Sequence, residues 1–137
     1  DSGPILPELQ WHEQYTITTG QVVFTRNGKI EQSLANAGSW TLDVKPQQID
    51  ALFKQLAALD TSSIQRIEPE DAPDGGITAS YVITYASGKT FSLLLDPGVS
   101  YTHGETLTDP VLQFIQALRL PVDAASRYYR LITPALP

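Results

Sequence analysis

The sequence predicts an α+β fold, an antiparallel sheet of four to six strands with two amphipathic helices packed on one face. Three observations carry that expectation. From Ser80 to Ala86 the chain alternates, with Tyr81, Ile83 and Tyr85 on one face, and after Ser87-Gly88 the residues Phe91, Leu93 and Leu95 resume the alternation. Beyond a polar loop, Val111, Phe114, Ile115 and Leu118 fall at the spacing of a buried helical stripe. A matching stripe, Ile49, Leu52, Phe53 and Leu56, follows Pro46, a residue suited to the first helical position.

Taken in order, residues 1–10 form an extended leader stiffened by Pro4 and Pro7. Tyr15 to Thr19 alternates weakly, and Val22 to Arg26 is rich in strand formers. Asn27-Gly28 is a hairpin signal, because a type I′ turn needs positive φ at both central residues, and it predicts a return strand over 29–34. Trp40 to Val44 leads into a helix over 46–59. The stretch 61–68 reads as an edge strand or an extended link, and 68–76 as a loop by its Pro, Gly and acidic content. Asp109-Pro110 is placed at the start of the second helix, 109–120, which Leu120-Pro121 ends; 121–137 is a tail. Two hairpin–helix pseudo-repeats emerge when Asn27-Gly28-Lys29 is aligned with Ser87-Gly88-Lys89 and the two stripes with each other.

At 137 residues the chain is read as one globular domain, long enough to bury a core without staples. It has no cysteine, which excludes a disulfide framework and a thiol nucleophile. Its net charge of −6, with nine scattered basic residues, argues against nucleic acid. No apolar run has the length of a membrane span. The chain starts Asp-Ser-Gly-Pro and has no methionine, so a processed form is expected, with a secretory signal removed and room for a lipid anchor before Asp1 in the precursor; a trimmed cytosolic chain is the plain alternative.

Two loops are candidates for chemistry. Glu68, Glu70, Asp71 and Asp74, followed by Gly75-Gly76, offer carboxylate oxygens of the kind calcium takes, although the spacing is not that of an EF-hand; the alternative is a solvated acidic loop. In the loop 96–106, Asp96, Tyr101, His103 and Glu105 are gathered, and His103 with Glu105 has the composition of an acid–base or ligand pair. Here too a plainer reading stands beside it: Asp96-Pro97-Gly98 is a turn, and Glu105 suits a helix start. Tyr101, Tyr128 and Tyr129 are the aromatics expected at a binding surface. No nucleophile elbow, phosphate cradle or metal-spaced histidine pair is present, which argues against an enzyme.

With Asp71-Ala72-Pro73-Asp74-Gly75-Gly76, the turn Tyr85-Ala86-Ser87-Gly88-Lys89 and Tyr101-Thr102-His103-Gly104-Glu105, the chain resembles small bacterial envelope lipoproteins of unknown function, cyanobacterial ones included. The resemblance covers residues 15–120 and implies export to the periplasm or cell envelope and an α+β sheet, with no activity to assign. The expectation for function is a non-enzymatic module that binds a protein partner or helps assemble a complex, with no cofactor. The alternatives are a metal- or small-ligand-binding protein using both loops, and a small hydrolase or protease inhibitor with His103 and Glu105 or an exposed loop as reactive element.

Overall fold

The computed structural model describes residues 6–71, 73 and 75–128. It bears out the α+β class: among the described residues seven strands pair antiparallel throughout, accompanied by helices, but the strands are divided among sheets of three, two and two rather than gathered into one. The chain falls into two compact units, residues 1–49 with 118–137, and residues 50–117.

The first unit is built on a meander of β1 (Trp11–Ile17), β2 (Val22–Gly28) and β3 (Gly38–Leu42). Thr18 N–H closes the first turn on Gln21 O at 2.9 Å. Register sets Tyr15 opposite Phe24 and Phe24 opposite Trp40, so the three rings form a ladder with centroids 4.9 and 5.6 Å apart. Such cross-strand aromatic pairs stabilise a sheet by about 0.2–1 kcal/mol each. Side chains two apart share a strand face, so Val22, Phe24 and Arg26 are buried together.

Asn27-Gly28 does not turn the chain. Both residues are the end of β2, opposite His12 and Trp11, and the segment after them forms no strand. The run Lys29 to Leu34 has no alternating apolar face to pair, whereas the segment from Trp11 does, and it takes that edge. Gly28 is needed for another reason: a Cβ there would collide with the Ser33 side chain.

α1 (Pro46–Ala57) starts at Pro46 as expected and buries Ile49, Leu52 and Leu56 on one stripe. In the second unit a short 3₁₀ turn (Thr61–Ser63), capped by the Asp60 carboxylate on Ser62 N–H at 3.2 Å, stands where the edge strand was expected to begin. β4 (Arg66–Ile67) is all that remains of that strand, and it pairs with β7 (Ser100–Tyr101). β5 (Ala79–Thr84) and β6 (Thr90–Leu95) form the expected hairpin, with Tyr81, Ile83, Phe91, Leu93 and Leu95 turned inward and their neighbours outward. Its loop has three residues rather than two: Tyr85 pairs with Lys89, and Gly88 takes φ +87°. A three-residue hairpin needs a left-handed residue there, which glycine adopts without a steric penalty.

α2 (Glu105–Gln116) begins four residues before the expected start and leaves Asp109-Pro110 in its interior. The stripe extends one turn further back than the expected start, to Leu107, which is fully buried. Pro110 forfeits one intrahelical hydrogen bond, a loss outweighed by the burial that this extra turn secures. α3 (Val122–Ala125) lies in the first unit and holds a buried Ala124. The order hairpin then helix does occur twice (β2–β3–α1 and β5–β6–α2), but Gly28 and Gly88 occupy unlike positions, so the tripeptide alignment has no structural counterpart.

Candidate interaction surface

In the second unit the loops 68–76 and 96–106 converge. Asp96-Pro97-Gly98-Val99 is a turn closed by Val99 N–H on Asp96 O at 3.0 Å, with Gly98 at φ +83°, the conformation a type II turn requires at that position. A Cβ on Gly98 would meet Pro73 Cδ at 2.9 Å and Pro69 at 3.2 Å, and one on Gly76 would meet Pro97 Cγ at 2.9 Å. The loops therefore touch through proline rings and bare glycines, a stiff contact with little rotamer entropy to lose.

Arg66 is the polar centre of this pair. Its register opposite Tyr101 places the guanidinium over the end of β6. It binds the Glu68 carboxylate, lies 3.5 Å from Asp96 Oδ2, and donates to Leu94 O at 2.9 Å and to the Tyr101 hydroxyl at 3.3 Å. The Tyr101 hydroxyl in turn accepts from Leu94 N–H at 3.1 Å. Hydrogen bonding to Glu68, then to Tyr101, holds the Arg66 guanidinium above its ordinary pKa. The cluster is solvent-facing, with Arg66 one-third exposed, so its ion pairs act as geometric ties more than as large energies. Thr102 fastens the loop from the other side, accepting Gln65 N–H at 3.0 Å and donating to Ser63 O at 3.0 Å.

Of the expected site residues, Glu68, Asp96 and Tyr101 are thus brought together, by an arginine that the sequence did not single out. His103 is exposed at φ +53° and its carbonyl accepts from Thr106 N–H and Oγ1; Glu105 is exposed in the first turn of α2, and no hydrogen bond joins the two. Glu70 and Asp71 are exposed, and Asp74 lies outside the described residues. Among the described residues no three acidic or histidine side chains group as metal ligands would. Beside the Arg66 cluster, Ile67 is 47% and Leu94 44% exposed, an apolar margin to an otherwise charged surface.

Tyr128 belongs to the first unit, where its hydroxyl accepts from Trp11 Nε1 and donates to Leu9 O, both at 3.1 Å; Tyr129 lies outside the described residues. This contact is part of a second arginine cluster. Arg26, 1% exposed, donates through Nε to Glu13 Oε1 at 3.1 Å, through Nη1 to Ser126 O at 3.0 Å and Asn36 O at 3.2 Å, and through Nη2 to Ala124 O at 3.0 Å. Its guanidinium carbon lies 5.0 Å from the Phe24 ring centroid and 5.7 Å from that of Trp40. Asn36, also buried, donates to Asp123 O and Ser126 O. Arg127 adds a second bond to Glu13 at 3.0 Å and stacks on Trp11 at 4.5 Å. One buried cation thereby ties the carbonyls of Ala124 in α3 and Ser126 after it to that of Asn36, between β2 and β3, and the cluster is structural. The alternation that buries Val22 and Phe24 was the signal for it: Arg26 is the next residue on that face.

No protein-family model, no curated protein and no solved structure matches this chain. No described helix is long and apolar enough to cross a membrane.

Proposed function

We propose that this chain is a non-enzymatic module of the cell envelope that binds another protein, or helps assemble a complex, through the loop pair 68–76 and 96–106. The observation that carries this reading is the convergence of both loops on Arg66, which gathers Tyr101 with the carboxylates of Glu68 and Asp96, next in the chain to the exposed Ile67 and bonded to the backbone of the exposed Leu94. A charged cluster with an apolar margin, held on a stiff scaffold, suits a protein-binding patch, because preformed geometry reduces the ordering cost of association. Export, and a lipid anchor in the precursor, rest on the resemblance to envelope lipoproteins; fractionation of cells carrying the native gene tests them, and a cytosolic product would end that part of the reading.

Affinity capture from native envelope tests the binding reading. A defined partner should be recovered with the parent chain and lost with Ile67→Asp, an exposed position whose change leaves the fold intact. Recovery of the same partner by parent and variant alike removes the loop pair from the account.

A further inference from the structure

The β5–β6 hairpin has two edges, and they differ. Tyr85 N–H, just past β5, bonds to Lys89 O at 2.8 Å, which fixes Ile83 and Tyr81 as residues of β5 whose backbone groups face β6. Ser80, Val82 and Thr84 therefore direct their N–H and C=O groups off the free edge of β5. On the β6 edge, Leu94 N–H and C=O are both taken by Tyr101 and Arg66. Among the described residues no such cover lies on β5, which pairs only with β6, and Val82 is 65% exposed.

Exposed edges are ordinarily blunted by lysine, proline or a bulge, since an open one templates pairing with another strand. This one carries none of these, and from Gly75 to Gly88 the chain has no charged side chain, although its net charge is −6. Two copies would repel elsewhere and meet without repulsion here. The edge sequence is also self-complementary. About a two-fold axis at Val82, Ser80 meets Thr84 of a second copy and Val82 meets Val82, a hydroxyl pair on each side of an apolar one, while Tyr81 meets Ile83 on the other face.

We infer that the free edge of β5, Ser80 to Thr84, pairs antiparallel with the same edge of a second copy of this chain, joining two hairpins into a four-stranded sheet. The symmetry is that of a closed dimer, so association stops at two. A five-residue edge buries less than the roughly 800 Å² per partner of a standard interface, so the dimer is weak and concentration-dependent. The inference does not depend on the loop-pair reading, because neither loop contributes to the edge.

Sedimentation equilibrium on the whole chain should show a species of 15.0 kDa passing to twice that mass as concentration rises. Val82→Lys, which sets two ammonium groups face to face on the axis, should leave a monomer at every concentration, while Leu112→Lys on α2 should dimerise like the parent. Because the chain has no cysteine, register can be read by cross-linking. Val82→Cys should form a disulfide-linked dimer on oxidation, its Cα atoms facing at about 5.5 Å. Thr84→Cys should not, since two such residues lie four positions apart along the strand, about 13 Å. A parent that stays monomeric to millimolar concentration, a Val82→Lys variant that dimerises like the parent, or cross-linking as efficient at Thr84 as at Val82, would each overturn the inference.

Discussion

Replacing Arg26 by methionine keeps roughly the length of the side chain and its packing over Phe24 and Trp40 but removes every donor from a site that is 1% exposed. The carbonyls of Asn36 and Ala124 lose their side-chain donor, while the Ser126 carbonyl keeps Asn36 Nδ2 and the Glu13 carboxylate loses one of two arginines. Glu13 retains Arg127 at 3.0 Å and is 11% exposed, so its charge is not stranded; the carbonyls are the larger loss. Hydrogen bonds to a charged group contribute about 1.5–3 kcal/mol each, not additively within one network. A loss of about 3–5 kcal/mol is expected, a large part of a typical total of about 5–15 kcal/mol. Arg26→Lys should recover little of it, because one ammonium cannot reach four acceptors arranged around a planar fork.

Urea unfolding measures the loss, and hydrogen exchange locates it. Asn36 N–H, which bonds to Arg127 O at 2.7 Å, should lose protection in Arg26→Met, while Phe24 N–H inside the sheet keeps most of its own. A methionine variant within about 1 kcal/mol of the parent, with Asn36 still protected, would refute the reasoning, since it would mean the segment after α3 is held by something other than the guanidinium.

Gly98→Ala should destabilise by about 1–3 kcal/mol, from a positive φ and a Cβ driven against Pro73 and Pro69, whereas Gly88→Ala, strained in φ but with open space around it, should cost about 1 kcal/mol; equal losses in thermal unfolding would contradict the loop contact. Burial raises the pKa of Tyr15, with Glu13 adding to it, and that of Tyr81, with Asp109 adding to it, above the ordinary 10.0. The folded state then holds protons that the unfolded state has released above pH 10. Stability is thus independent of these groups below pH 10 and falls as pH rises from there through the raised values. The double variant Tyr15→Phe, Tyr81→Phe should flatten that fall, and an unchanged alkaline limb in pH-dependent denaturation would contradict the assignment. Calcium should not raise the melting temperature, because the Glu68 and Asp96 carboxylates are already paired with Arg66; a rise abolished by Asp71→Ala would move the acidic loop to a metal site.

The second unit's hairpin was legible because Tyr81, Ile83 and Tyr85 and then Phe91, Leu93 and Leu95 fall at alternate positions on either side of Ser87-Gly88, and the first helix because Pro46 and the stripe from Ile49 agree. The places where sequence reasoning failed have a common physical cause, a local signal overruled by a distant partner. Asn27-Gly28 has the chemistry of a turn, yet the strand from Trp11 offered β2 a better edge than the polar residues after it. Asp109-Pro110 has the chemistry of a helix start, yet Leu107 had a buried place to fill one turn earlier. Arg26 and Arg66 escaped notice because a lone cation in a strand gives no sign of what it will bind; their partners are up to 100 residues away in the chain. Of the candidate loops, composition identified both, but their meeting depends on Gly76, Gly98 and the prolines opposite them, and spacing along the chain does not encode that.

Hydrogen exchange on the captured complex tests most directly whether the two arginine-tied loops are the working surface. Added protection confined to residues 66–71 and 94–103, with β1 to β3 exchanging as in the free chain, is the result the account predicts. Protection that falls on the three-stranded sheet and leaves Arg66, Tyr101 and their neighbours unchanged would contradict it.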